Sequence, residues 1–225
     1  MQLHEKPART PEQHANLAPL RAAYQGIAGA FGEEAVRRVW HGRAEAIPAR
    51  TFAAALDELV SGRVQWAVIP IWNSTIGPVA PARAALRACG SSVTVVRELD
   101  IPVRHCLLAL PGTTIADVRF VGSHPAALAQ CAKLFIAHPE LTPCDAFDTA
   151  GAARELSMLS DPTGGRLHEN WYSSVPVDAP SELAVIASAN AGRRYGLSIL
   201  REGVQDDPEN LTRFVVVRAT EPARW

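Results

Sequence analysis

No stretch of this 225-residue chain concentrates basic residues, and its 22 Lys and Arg are offset by 23 Asp and Glu for a net charge of −1. The electrostatic footprint of a nucleic-acid binder is therefore missing. No apolar run exceeds strand length, so none reads as a membrane span. The opening residues, MQLHEKPARTPEQHANLAPL, hold no apolar signal-peptide core. Residues 1–20 read as a loose polar arm, and a cytoplasmic setting fits. The four cysteines (Cys89, Cys106, Cys131 and Cys144) form no C-x-x-C pair and have no histidine at finger spacing. That argues against zinc. Internal repeats are absent too, and the glycines of GIAGAFG follow neither the dinucleotide fingerprint nor the P-loop spacing.

What is present is a chain that is 48% hydrophobic, enough for a sizeable core in one domain or two small lobes. Short β-rich runs alternate with Ala/Leu/Arg-rich helical ones. The strand expectations are Ala22–Gly26, Gln65–Ile71, Val93–Glu98, Cys106–Leu110, Val118–Gly122, Leu183–Ser188 and Phe214–Arg218. Helices are expected over Glu33–Trp40, Phe52–Ser61, Pro81–Cys89, Pro125–His138 and Ala150–Leu159, where apolar residues recur at three and four. Such alternation argues for α/β with mostly parallel sheets. VVRELDIPVRHCLLAL and SILREGVQDDPENLTRFVVV look like two crossovers between lobes. They divide the chain into lobe 1 (21–101 and 204–225) and lobe 2 (102–203). The aperiodic segment Asp161–Glu182 reads as a flap or a disordered insertion. Trp171 and Tyr172 on it could cover a cleft or pack on a partner.

Several strands run directly into a short polar residue and a helix. Ser123 with Pro125 suits a helix start, as does Asp148 or Thr149 before AGAAREL. Ligands of open α/β sheets bind at the carboxyl ends of strands, where helix N-termini offer N–H groups to anions. Several such starts around one cleft suit a small ligand with more than one carboxylate. Each piece alone also has a purely structural role: Asn73 and Ser74 as turn formers, His124 as an exposed first-turn residue, Thr212 as a strand entry.

In order, YQGIAGAFGEEA, VIPIWNSTIGPV, ELDIPVRHCLL, VGSHPAALAQC, DTAGAA, AVIASANAGRRYGL and DDPENLTRFVVV resemble the motifs of the prephenate dehydratase catalytic domain. The resemblance runs from about Tyr24 to Val217. It implies two Rossmann-like α/β lobes around a cleft, similar to type 2 periplasmic binding proteins. It implies conversion of prephenate to phenylpyruvate with loss of carbon dioxide and water, no metal or organic cofactor, and a homodimer. Carried over residue by residue, Thr212 contacts the leaving hydroxyl and Phe214 packs to hold it. Asn73 and Ser74 line the cleft from the first lobe, with Asn73 sharing in catalysis. Ser123, His124, Gln130, Asp148 and Thr149 line it from the second, with helix N-termini there taking a carboxylate. Arg213 binds substrate or only braces the strand pair.

The departures are specific. Trp72 stands where the family has Glu, Ala30 and Gly32 where hydroxyl side chains are usual, Ala126 where Gln is usual, and Asp148 where Ser is usual. Asp148 could replace the lost acid or cap its helix. Only eight residues follow Val217, so an ACT regulatory domain and feedback by phenylalanine through it are not expected. Two further readings stand beside the enzyme. One is a two-lobe module that binds prephenate-like ligands without turnover. The other is a changed or added amide hydrolysis of N-acyl substrates such as N-acyl homoserine lactones, with Trp72 as an apolar wall.

Overall fold

A computed structural model describes residues 19–160, 171–172, 175–176 and 178–220. The chain begins with β1 (Arg21–Gln25), α1 (Phe31–Trp40), β2 (Glu45–Ala49), α2 (Phe52–Val60), β3 (Trp66–Asn73), the two-residue β4 (Gly77–Pro78), α3 (Ala80–Cys89) and β5 (Val93–Pro102). With the late strand β11 (Leu211–Ala219) these make one six-stranded sheet in the order β2-β1-β3-β11-β5, β4 pairing β3. A second, five-stranded sheet takes the order β10-β6-β9-β7-β8, from β6 (His105–Ala109), β7 (Phe120–Ser123), β8 (Thr142–Asp145), β9 (Leu183–Ser188) and β10 (Ser198–Glu202). Between its strands lie α4 (Pro125–Ala129), α5 (Ala132–Ala137), α6 (Thr149–Ser157) and α7 (Ala189–Tyr195).

The period-2 pattern of strands decides how the first sheet is covered. Ala23, Ala67, Ile69, Val215 and Val217 face α2 and α3, packing on Ala55, Leu56 and Leu59. Ala22, Tyr24, Val68, Phe214 and Val216 face the other way, onto Ala35 and Val36 of α1. The central strands of the second sheet, β6 and β9, are buried along their whole length and so read as unbroken apolar runs. Helix ends carry local signals. Thr51 caps α2 by accepting from the Ala54 N–H at 3.0 Å, and Glu33–Arg37 and Glu34–Arg38 pair one turn apart on α1.

The two-lobe α/β architecture is as the sequence predicts, but the sheets are mixed rather than mostly parallel. β1 pairs β2 and β3 in parallel, and β7 pairs β8 and β9 in parallel. The strands that carry the chain between lobes run antiparallel to their neighbours, because a chain that leaves a sheet and returns must reverse. β2, β8 and α7 are absent from the sequence reading, and β10 enters it only as the strand-like start of the second crossover; β2 and β8 carry prolines that mask their strand character. The single helix expected over Pro125–His138 is two helices. Asp206 enters the break, its N–H donating to the Gln130 carbonyl at 2.7 Å and its carboxylate accepting from the Lys133 N–H at 2.9 Å.

The chain crosses between sheets through Val103–Arg104 and returns through residues 203–210, and the Val103 N–H donates to the Asn210 carbonyl at 2.8 Å to tie the crossings together. The lobes also touch near Gly29, whose φ is +93° and whose absent side chain would sit 2.9 Å from the Ala191 Cα. There Ser188 Oγ donates to the Gly29 carbonyl and Tyr195 Oη to the Ala28 carbonyl.

Most of the segment Asp161–Glu182 lies outside the described residues. Trp171 and Tyr172 are described and pack edge to face, ring centroids 5.4 Å apart. Trp171 does not cover the cleft. It is buried in the second lobe, stacked on Gly122 and bonded through its indole N–H to the Ala152 carbonyl.

Candidate active site

A cavity of about 500 Å³ opens between the lobes. The first lobe contributes Asn73, Ile76, Thr212 and Phe214, with Ala30, Phe31 and Gly32 from the start of α1; the second contributes His105, His124, Gln130, Phe147, Asp148 and Thr149. Among the described residues, no lysine or arginine lines it.

A β-bulge sets which side chains of β3 enter. Arg213 pairs Trp72 but Phe214 pairs Pro70, so Ile71 is an extra residue and the alternation flips across it. Val68 and Pro70 face the cavity before the bulge and Asn73 after it. Trp72 is thereby turned out of the cavity, 38% exposed beside Arg213. The indole is no wall of this cleft, contrary to the expectation for an acyl pocket.

Asn73 and Thr212 are paired across the strands. The buried Asn73 amide donates to Thr212 Oγ1 at 2.9 Å, to Asn210 Oδ1 at 2.8 Å and to the Leu211 carbonyl at 3.0 Å. Its oxygen accepts from the Thr75 and Ile76 N–H groups. Asn210 in turn donates to Gln130 Oε1 at 3.1 Å, and His105 Nε2 lies 3.1 Å from the same oxygen. A polar chain therefore runs from His105 and Gln130 of the second lobe to Asn73 and Thr212 of the first. Because Gln130 accepts from both neighbours, His105 carries its proton on Nε2. Its Nδ1 is buried with no hydrogen-bond partner among the described residues, and the Phe31 ring packs edge-on against the imidazole at 5.7 Å. Burial pushes the His105 pKa down, opposed in part by the Gln130 bond, so the ring is neutral.

This chain has a consequence for Thr212. Its oxygen already accepts a proton from Asn73, which leaves its own O–H to donate to whatever occupies the cavity. Opposite, His124 caps α4 through Nδ1, which accepts from the Ala126 N–H at 3.1 Å, so its Nε2 is a donor. Asp148 caps α6, accepting from the Gly151 N–H at 2.6 Å. Both second-lobe helix starts are thus occupied by side chains. Two first-lobe helix starts at the cavity carry no side-chain cap: that of α1 at Ala30 and that of α3 at Val79, where Pro81 removes one N–H donor.

Seven of the ten sequence-derived site residues line this cavity: Asn73, Thr212, Phe214, His124, Gln130, Asp148 and Thr149. Three do not. Ser123 is not the helix cap; it is the last residue of β7, fully buried, and its hydroxyl donates to the Ile186 carbonyl at 2.6 Å. Ser74 accepts from the Leu211 N–H at 2.9 Å and staples the loop to β11. Arg213 lies on the outer face, bidentate to Asp100 at 2.8 and 2.9 Å, and each partner holds the other's charged form. His105 and Asn210 are the members that sequence reasoning missed. Both stand inside quoted motifs, His105 closing ELDIPVRH and Asn210 opening NLTRF. Among the described residues no three His, Cys, Asp or Glu side chains cluster as a metal site, and no helix is long and apolar enough to cross a membrane.

Two α/β lobes enclose a cleft into which hydroxyls, amides and helix starts project, the architecture of a two-lobe α/β domain with its cavity between the sheets. The chain matches the family model "Prephenate dehydratase" over residues 22–222, and it belongs to that family. It is 35% identical over 215 residues to arogenate dehydratase/prephenate dehydratase 2, chloroplastic, of Arabidopsis thaliana, covering 94% of this chain and 49% of the relative. To arogenate dehydratase 1 of Petunia hybrida it is 37% identical, covering 90% of this chain and 43% of the relative. The chain thus spans about half the length of these curated relatives. The solved prephenate dehydratase of Arthrobacter aurescens in complex with L-Phe superposes with a TM-score of 0.72 at 27% identity, covering 92% of this chain and 62% of that one. A structure described as GqqA, a novel type of quorum quenching acylases, also superposes at 0.72, with 33% identity over 91% of this chain and 65% of that one.

Proposed function

We propose that this domain converts prephenate to phenylpyruvate, carbon dioxide and water. The ring carboxylate leaves as carbon dioxide, its bonding electrons pass through the diene, and the ring hydroxyl departs as water once it gains a proton. Aromatisation supplies the driving force, so the domain needs to position two carboxylates and assist the leaving hydroxyl. The observation that carries this reading is the bond from the Asn73 amide to Thr212 Oγ1, which leaves the Thr212 O–H free to donate at the cavity. A neutral threonine is a weak acid, so it polarises the leaving hydroxyl, directly or through a water, rather than surrendering its proton outright. With no lysine or arginine among the described lining residues, the carboxylates are held by neutral donors: the open start of α1, His124 Nε2–H and Thr149. His105, Gln130 and Asn210 hold Asn73 in place.

One observation favours a second substrate. Asp148 puts a carboxylate in the cavity, beside a substrate that is already acidic. Arogenate carries an ammonium where prephenate carries a ketone, and the same decarboxylation and dehydration would give phenylalanine. The amide-hydrolase reading is supported by the likeness to the structure described as a quorum quenching acylase, but the bond that Thr212 makes is to an amide rather than to a base.

The test is to incubate purified protein with prephenate and, separately, with arogenate, following phenylpyruvate and phenylalanine. Turnover of either that disappears in Thr212→Ala supports the dehydratase reading; binding without turnover of both defeats it. Asp148→Ser is expected to lower the arogenate-to-prephenate ratio of kcat/KM by at least tenfold if Asp148 receives the ammonium. We further propose a homodimer in a reducing compartment such as the cytoplasm. The outer edge of β5, which no strand pairs among the described residues, with Val95 and Val96 exposed, supports the dimer. Four unpaired cysteines support the compartment.

A further inference from the structure

A second cavity, of about 430 Å³, lies where α1, the crossover and α7 meet, and Phe31 is part of its wall as well as of the active-site wall. Four arginines line it: Arg37 and Arg38 from the first lobe, Arg104 from the crossover, and Arg193 from the second lobe. Glu34 is the one carboxylate among the lining residues. Arg38 is paired with Glu34 at 2.9 Å and Arg37 with the buried Glu33 at 3.1 Å, each through one nitrogen, so further N–H donors remain on both. Arg104 and Arg193 have no ion pair among the described residues. In a chain of net charge −1 this is a local excess of positive charge, in contrast to the active-site cavity, which no lysine or arginine among the described residues lines.

We propose that this cavity is a second binding site, for a small phosphate-bearing anion. Arg104 and Arg193 add two positive charges beyond the two paired arginines, and a multiply charged anion relieves their repulsion while each fork keeps its hydrogen bonds. The arginines come from three separate elements and so approach from different directions. A tetrahedral group with several terminal oxygens meets that arrangement better than a planar carboxylate, which a single fork satisfies. The site joins both lobes and the crossover, so an occupant bridges the two lobes. Phe31, packed on His105, is the physical link to the active site.

Inorganic pyrophosphate and citrate are the probes, titrated calorimetrically into the full chain at low ionic strength. Pyrophosphate is expected to bind once per chain, at least tenfold tighter than citrate, and at least tenfold weaker to the Arg104→Gln/Arg193→Gln variant. Because the readout is binding, it does not depend on the dehydratase reading. Hydrogen exchange on the unaltered protein is a second measurement, with pyrophosphate expected to slow amides near Arg104 and Ala189–Arg193. Three results overturn the proposal: no pyrophosphate binding, equal binding of citrate, or undiminished binding to the variant. Protection confined to the cleft around Asn73 and Thr212 also overturns it, since the anion would then sit in the active site.

Discussion

Replacing Thr212 by valine tests the catalytic geometry with little cost to the fold. The Asn73 amide has two protons and three acceptors within 3.0 Å: Thr212 Oγ1, Asn210 Oδ1 and the Leu211 carbonyl. Removing the threonine oxygen leaves both protons with a partner, so no buried donor is orphaned. The stability cost is then under about 1 kcal/mol, or roughly 2–4 °C in Tm for a chain of this size. The rate cost is larger. A hydrogen bond that strengthens as charge develops on a leaving oxygen is worth about 1.5–3 kcal/mol, which is ~10- to 150-fold in kcat. Because the interaction grows in the transition state, KM should change little. Thr212→Ser keeps the O–H and should stay within a few-fold of the unaltered protein. The assay is phenylpyruvate release under saturating prephenate, with thermal melting of each variant alongside. The reasoning fails if Thr212→Val keeps more than half its kcat, or if the loss lies wholly in KM.

Four further outcomes follow from the packing. Trp72→Glu should alter prephenate turnover less than twofold, because the bulge at Ile71 turns position 72 out of the cavity; a several-fold rise would show that the side chain reaches the chemistry. Gly122→Ala would place a methyl 2.5–2.6 Å from three Trp171 ring atoms, so displacement costing about 1–3 kcal/mol should lower Tm by roughly 2–12 °C and shift indole emission; unchanged melting refutes the stacking. Burial lowers the folded-state pKa of His105 below an unfolded value of about 6.5, so the unfolded chain binds the extra proton first. That contribution to stability is present above about pH 6.5 and is lost as pH falls toward the folded pKa. His105→Gln should therefore flatten the decline in Tm between about pH 7 and 5, and an identical slope counts against it. Val95→Lys should shift sedimentation from dimer to monomer, and an unaltered protein that already sediments as a monomer removes the dimer proposal.

Legibility in the sequence followed the range of the interaction. The Asp148 cap lies three residues from the N–H it binds, and it was readable as one of two candidates. The strand Leu183–Ser188 agrees at both ends, because an unbroken apolar run of that length bounded by polar residues is a local signal. Ser123 misled for the same reason. It sits before a proline-started helix as a cap would, but the neighbouring strand β9 offers the Ile186 carbonyl 63 residues away and takes its hydroxyl. Arg213 and Ser74 are beside true cavity residues in sequence, and strand alternation or a staple to β11 turns them elsewhere.

The sequence by itself determined the alternation of strands and helices, the two crossovers, and the ordered motifs that carry the family. These are encoded by residues within one element and survive without knowledge of partners. Only the tertiary structure decided which side of a strand does chemistry. One extra residue in β3, visible only in its register with β11, brings Asn73 in and sends Trp72 out. The same folding joins Asn73 to Thr212 across 139 positions and His105 to Gln130 across 25. It also gathers arginines from three elements around a cavity that no linear motif announces. Register and convergence are properties of paired strands and packed lobes, so they appear only when distant segments meet.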